Sequence, residues 1–190
     1  MSKRVTNDSQ SLYYKYPRSY FFPPFFTLQP NTTTRNAQFE KWSSFILSYC
    51  RHHRIWRLSI IDGLDMPLFH NSELRKRLSL HDAREVVDWM TRQEGSERAE
   101  WIGKEGEKSV AWIYWRRPEE WAEVLGDWVE ETGQKNTVLT LYELTEGDST
   151  LSAEFHSMEP AILQKSLNVL VKRGKAQVFG SEDQQGVKFF

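Results

Sequence analysis

The sequence predicts an α+β chain of two small mixed modules in tandem, preceded by an arm rich in proline and aromatic residues. Three observations lead there. One order of elements, helix, strand, helix, helix, strand, strand, is read twice along the 190 residues. Between residues 13 and 26 lie eight aromatic residues, with Pro17, Pro23 and Pro24 among them. Pro118 opens the second copy of the pattern, at the first-turn position where a helix tolerates it. A chain of this length holds one ordinary domain or two small ones.

Residues 1–19 lack periodicity and are expected to be a disordered tail, with the arm and first module over 20–117 and the second module over 118–190. The arm cannot be a regular helix, because each proline removes a donor and pushes its predecessor into extended geometry. It is expected to run as an extended polyproline-type strand. From Thr34 onward Phe39, Trp42, Ile46, Tyr49 and Cys50 form one apolar helical stripe that ends near Arg51 to Arg54. The run 55–61 is β-favourable, and Asp62-Gly63 reads as a turn. Helices are predicted over 71–80, with Leu74 and Leu78 four apart, and over 81–94, with Ala83, Val86, Val87 and Met90 on one face. Residues 99–102 and 109–115 then flank a Gly103 to Gly106 turn as a β-hairpin.

The second copy begins with a helix over 119–131, carrying Trp121, Val124, Leu125, Trp128 and Val129 on one face and closed by Gly133. A strand is predicted over 137–144, a short helix over 151–155 and a longer one over 159–173. A last hairpin pairs 176–179 with 187–190. This order is that of a winged helix, so the expected architecture is two tandem winged-helix domains behind an extended arm. Modules this small bury little surface, and the eight Trp compensate by burying a large area each.

Charge is uneven although the net charge is only −1. Residues 1–60 hold nine Lys/Arg against two acids, residues 118–190 six against thirteen. Such asymmetry concerns partners and orientation rather than fold. The uncharged arm is broken by prolines and too short for the roughly 20 apolar residues a bilayer span needs, and no secretory h-region is read near Met1. A lone Cys50 excludes a disulfide framework and fits a reducing compartment.

Particular strings resemble one family. FFPPFFTLQPN (21–31), WRRPEEW (115–121), TVLTLYELTEGD (137–148), EFH (154–156) and the terminal GVKFF together are similar to the vacuolar protein sorting-associated protein 25 family, the small winged-helix subunit of ESCRT-II. The match spans residues 20–190 and departs from the family in the tail, at 62–67, at 103–108 and at 149–153. The resemblance implies a non-catalytic scaffold without cofactor or small-molecule substrate. Its arm would dock on the two larger ESCRT-II subunits through a Pro-Pro-x-aromatic motif, here Pro23, Pro24, Phe25 and Phe26, with Phe where some relatives have Tyr. Its second domain would bind the first helix of an ESCRT-III subunit, charged multivesicular body protein 6, during multivesicular body sorting of ubiquitinated cargo. The resemblance places it in the cytoplasm, recruited to endosomal membranes and touching them only indirectly, and leaves self-association open. Physical chemistry supports the arm reading, since proline pre-orders the chain and two Phe entering pockets supply roughly 3–6 kcal/mol. The competing reading is that these rings are core of their own domain. A WW-domain ligand is disfavoured by Phe in place of Tyr.

For the second domain the candidate partner-contact residues are Glu143, Phe155 and His156, on an acidic surface suited to a basic amphipathic helix. A strand through TLYEL (140–144) would put Thr140, Tyr142 and Leu144 on one face and Leu141 and Glu143 on the other. The alternative class is a winged-helix nucleic-acid-binding protein, kept open by Arg51, Arg54 and Arg57. It is opposed by Asp82, Glu85, Asp88 and Glu94 on the helix that would enter a groove and by the acidic second domain. Cys50, His52 and His53 lack a second ligand pair for zinc, with His70, His81 and His156 scattered. The run 103–109 departs from a phosphate loop in glycine spacing and carries two carboxylates. Adjacent acids such as Glu119-Glu120 cannot share a helix face for acid–base work. No metal site and no catalytic group is expected.

Overall fold

Asn31 starts the principal helix, α1 (Thr32–His53), by accepting a hydrogen bond from the Thr34 amide at 3.1 Å. Phe39, Trp42, Ile46, Tyr49 and Cys50 are all buried, as their spacing requires, and Arg54 closes the helix in the left-handed region at φ 54°. The computed structural model describes residues 13–181 and 184–190 and divides into two units, one running to Trp115 and one over Arg116–Phe190.

In the first unit α1 is followed by β1 (Arg57–Ser59), α2 (Ile60–Gly63), β2 (His70–Asn71), β3 (Lys76–Arg77), α3 (Leu80–Thr91), β4 (Ala99–Ile102) and β5 (Val110–Ile113). The sheet has the order β1-β5-β4, antiparallel throughout, with Leu58 opposite Ala111 and Trp101 opposite Ala111 on the other side. The second unit holds α4 (Pro118–Glu131), β6 (Val138–Thr140), α5 (Leu141–Glu146), α6 (Pro160–Lys172), β7 (Ala176–Phe179) and β8 (Gly186–Phe189). Its sheet has the equivalent order β6-β8-β7. Each unit therefore combines three helices with a three-stranded antiparallel sheet, an α+β set; the second follows the predicted order of element types, while in the first the two-stranded β2–β3 sheet comes between α2 and α3.

Several predicted elements differ, each for a local reason. The strand expected over 55–61 ends at Ser59, whose hydroxyl accepts from the Asp62 amide at 3.4 Å and starts α2. The strand expected over 137–144 likewise ends at Thr140, whose Oγ1 accepts from the Glu143 amide at 3.0 Å, while the Glu143 carboxylate accepts from the Thr140 amide at 2.7 Å. This reciprocal capping box begins α5, so TLYEL is a strand end and a helix start rather than one strand. In both units the β-favourable residues after the cap masked the change of element.

The helix expected over 71–80 is instead the β2–β3 hairpin. Buried Asn71 accepts from the Leu74 amide at 3.0 Å and Arg75 adopts φ 53°, which commits the segment to a turn. The helix expected over 151–155 is a run of turns, preceded by a 3-10 turn at Asp148–Thr150. Of the tail expected to be disordered, residues 1–12 lie outside the described residues. Residues 13–19 are not free chain: the Tyr14 ring lies 5.2 Å from Tyr49 and 6.1 Å from Phe45, and its hydroxyl hydrogen-bonds Ser48. The rings carry that segment onto α1 because burying them outweighs ordering so short a length of chain.

Thr140→Ala removes the α5 cap and is expected to cost about 1 kcal/mol. Thr140→Ser should retain most of it. Chemical denaturation of the two variants, with native-state amide exchange in α5 and α6, measures the difference.

Candidate docking site

The arm is not an extended strand. It forms two 3-10 turns, Arg18–Phe21 and Pro23–Phe26, joined by an extended Phe22 at φ −105° and ψ 108°. Proline at the first position of the second turn loses nothing by lacking an amide proton, and its fixed φ suits a 3-10 turn as well as a polyproline strand. Extended geometry at Phe22 is what a residue before proline prefers. The first turn is closed by the amide of Tyr20 donating to Pro17 O at 3.0 Å and that of Phe22 to Ser19 O at 3.1 Å, the second by the amide of Phe25 donating to Phe22 O at 2.9 Å and that of Thr27 to Pro24 O at 3.3 Å.

This winding sorts the rings into two sets. Phe25 and Phe26 are 4% and 3% exposed, whereas Phe21 and Phe22 are 51% and 61% exposed, with Pro23 and Pro24 also at the surface. Phe25 lies flat on Trp42, centroids 4.2 Å apart and planes 7° off parallel, and Phe26 meets the same indole edge-on at 5.7 Å. The reading of Phe25 and Phe26 as rings offered to a partner is corrected here. They are core of the first unit, and the roughly 3–6 kcal/mol of their burial contributes to its own stability. The available surface is Phe21, Phe22, Pro23 and Pro24.

Polar groups tie the arm at both ends. The buried Tyr20 hydroxyl donates to Pro67 O at 2.7 Å and His70 O at 3.0 Å, and Asn71 Nδ2 donates to Tyr20 O at 2.8 Å. Burial pushes the Tyr20 phenol far above its ordinary pKa, so it stays protonated as the donor these bonds need. On the other side Gln38 and Trp42 of α1 bind the backbone of the second turn, with Trp42 Nε1 donating to Phe25 O at 3.0 Å. The exposed rings flank clefts: one of about 300 Å³ is lined by Phe22, Pro24, Ala37 and Lys41, another of about 520 Å³ by Tyr16, Phe21, His70 and Glu73. A rigid turn with two exposed rings between clefts can dock on an apolar, pocketed surface; it carries no chemistry.

Sequence reasoning missed Phe21, Phe22 and Gln38 as site residues. Gln38 had a signal: it lies one turn before Trp42, so it is a polar residue on the buried face of α1. No comparable signal separated the outward rings from the inward ones, since all four Phe flank the same prolines.

In the second unit the structure separates the candidate residues. Phe155 is 0% exposed, packed edge-on under Trp128 at 5.5 Å, and is a core residue rather than a contact. His156 Nδ1 is 3.0 Å from Thr150 Oγ1 and closes the turn after the Asp148–Thr150 segment. Glu143 is exposed on α5, with its carboxyl held below the usual carboxylate range by the Thr140 backbone and hydroxyl hydrogen bonds. The neighbouring Glu154 carboxylate accepts from Arg116 Nε and Nη2 at 2.9 and 2.7 Å, and that guanidinium lies 5.6 Å over the Trp121 ring. Of the three, Glu143 keeps its carboxylate at the surface. Tyr142 beside it is also exposed.

In the first unit two cations at α3 are engaged within the unit. Asp88, buried on α3, accepts from Trp101 Nε1 at 2.7 Å and pairs with Lys108, while Arg84 Nε donates to Lys108 O at 2.9 Å. Arg84 and Lys108 thus hold the β4–β5 turn onto α3. Among the described residues no group of three or more His, Cys, Asp or Glu could hold a metal ion, and no helix is long and apolar enough to cross a membrane. Cys50 is buried and its thiol is pushed up by desolvation, so it is not a reactive thiolate.

Comparison with known proteins gives a consistent result. A family model described as ESCRT-II complex subunit matches residues 19–159. Vacuolar protein-sorting-associated protein 25 of Danio rerio is 44% identical over 177 residues, covering 93% of this chain and 99% of that protein. Its Homo sapiens counterpart is 41% identical, covering 93% and 98%. Among solved structures, the crystal structure of subunit VPS25 of the endosomal trafficking complex ESCRT-II superposes with a TM-score of 0.79 at 30% identity, covering 92% of this chain and 98% of that one. A chain in the crystal structure of endosomal complex ESCRT-II (VPS22/VPS25/VPS36) does so with 0.78 at 31% identity, covering 91% and 98%.

The division of the rings is directly testable by stability. Phe25→Ala should destabilise the first unit by about 3–5 kcal/mol. Phe22→Ala should change it by no more than about 0.5 kcal/mol. Equilibrium urea unfolding of the two variants distinguishes a buried from a presented ring.

Proposed function

We propose, from the premise that this chain belongs to the ESCRT-II complex subunit family, that it is a non-catalytic scaffold joining the larger ESCRT-II subunits to an ESCRT-III subunit. The first unit docks on the two larger subunits through its arm. Phe21, Phe22, Pro23 and Pro24 form the contact, and Phe25 and Phe26 are the buried root that holds it. The observation that carries this reading is the pair of half-exposed rings, Phe21 and Phe22, immediately before a turn that is fixed to α1. Large rings left at the surface on a rigid turn are the usual anchors of a protein interface, because little conformational entropy remains to be lost on docking.

The second unit binds the first helix of charged multivesicular body protein 6. Its support is charge: residues 118–190 carry six Lys/Arg against thirteen acids, which favours approach of a basic amphipathic helix. Glu143, exposed on α5 next to Tyr142, belongs to that surface. The biological setting is endosomal multivesicular body sorting of ubiquitinated cargo, with recruitment from the cytoplasm to endosomal membranes through the rest of the complex. Relatives that assemble with VPS22 and VPS36 support the first partner assignment.

Co-expression tests the arm. A chain with Phe21→Ala and Phe22→Ala should melt as the wild type does yet fail to co-purify with the larger ESCRT-II subunits; undiminished co-purification would remove the arm from the interface. For the second unit, titration of the full chain with the first helix of charged multivesicular body protein 6 should show affinity falling several-fold as ionic strength rises from about 0.05 to about 0.3 M. A flat salt dependence would contradict the electrostatic basis of that contact.

A further inference from the structure

Gln38 is the buried amide on the face of α1 that meets the arm. Its Nε2 approaches three carbonyl oxygens of the second turn and its exit: Pro24 O at 3.3 Å, Phe25 O at 3.0 Å and Thr27 O at 3.0 Å. Its Oε1 accepts from the Gln29 amide at 3.0 Å. The orientation of the amide follows from its partners, since one end meets only acceptors and the other a donor. One helical turn further on, Trp42 Nε1 supplies another donor to Phe25 O at 3.0 Å. Pro24 O also accepts from the Thr27 amide and Thr27 O from Gln29 Nε2 at 3.1 Å, so the carbonyl that α1 serves with two donors is Phe25 O, taken by both Gln38 and Trp42.

The geometry points to Gln38 as a positioning residue for docking: it meets no partner, but its backbone clamp holds the Pro23–Phe26 turn in the one shape that presents Phe21, Phe22, Pro23 and Pro24 together. This inference rests on the docking reading above. An apolar residue of similar length would fill the same space on α1 and would need nothing from the arm. A buried amide is costly unless its acceptors and donor are in place, so Gln38 favours this arm backbone over every other that buries Phe25 and Phe26. A pre-shaped turn meets its partner without first being ordered, and that saving appears as affinity.

The test uses the full chain as Gln38→Leu, Gln38→Glu and the Phe21→Ala/Phe22→Ala double variant, each titrated against the assembled larger subunits. Amide exchange across α1, α3 and the arm is read in parallel. Gln38→Leu should bind roughly tenfold more weakly, with faster exchange at Thr27 and Gln29 and unchanged protection in α3. Gln38→Glu sets a carboxylate against three carbonyl oxygens near neutrality. On protonation the carboxyl regains a donor for a carbonyl and an acceptor for Gln29, so its deficit relative to wild type should shrink as pH falls from about 7.5 to about 5.5. If the double variant loses binding while Gln38→Leu binds within about twofold of wild type, the clamp is overturned and the docking reading stands. If the double variant binds normally, the docking reading falls and the clamp with it. Should Gln38→Leu lose protection throughout α1 and α3, Gln38→Glu decides: a deficit that does not change with pH overturns the proposal.

Discussion

Trp42 is fully buried on α1, with the Phe25 ring parallel to its indole, the Phe26 ring at its edge and its N–H on the Phe25 carbonyl. Its N–H is given to the arm, and its ring is shared between the arm and Phe45 and Phe69 of the same core. The arm is thereby part of the first unit rather than an appendage, and its outward rings face solvent because their neighbours face in. A leader this short, rich in proline and aromatic residues, has too little surface of its own to stay ordered. Its shape is borrowed from a helix that begins six residues after Phe26.

How much of this could be read from the chain varies with the reach of the interactions. The stripe on α1 and the faces of α3 and α4 follow from period alone, because a helix with one apolar side has one way to bury it, whereas on α6 the same period also turns Val171 inward and that residue is exposed. Ser59 and Thr140 were harder. In each case a β-favourable run continues across the cap, and the hydroxyl with its amide three residues on decides the boundary. Such a cap is a local signal outweighed in a propensity reading by Ile60, Ile61 and Tyr142. Asn71 was harder still, because its commitment to a turn is completed by a bond to Tyr20, fifty-one residues away in sequence. The division between Phe21/Phe22 and Phe25/Phe26 depends entirely on Trp42 and Gln38 across a loop. No pattern within the arm contains it.

On α3 of the first unit the charges of Arg84 and Asp88 are committed to partners within that unit. A groove-entering helix needs cations free to meet phosphates. Here Lys108 is engaged by a buried Asp88 and Arg84 is turned onto the Lys108 carbonyl, so the hairpin is fastened to the helix that it would otherwise leave open. Trp101 contributes its N–H to the same carboxylate. Asp88 is buried, so removing either of its partners leaves a buried carboxylate less fully paired, which is costly.

On the proposed docking, the inward burial of Phe25 and Phe26 has a consequence for the design of a competitor. A linear synthetic copy of the arm would carry every side chain yet lack the helix that bends it, and in water it would sample open polyproline-like shapes with all four phenyl groups loose. A useful competitor has to imitate the bend rather than the letters: a macrocycle or stapled loop whose chemistry replaces what α1 provides, displaying the outer two phenyl groups and dispensing with the inner two.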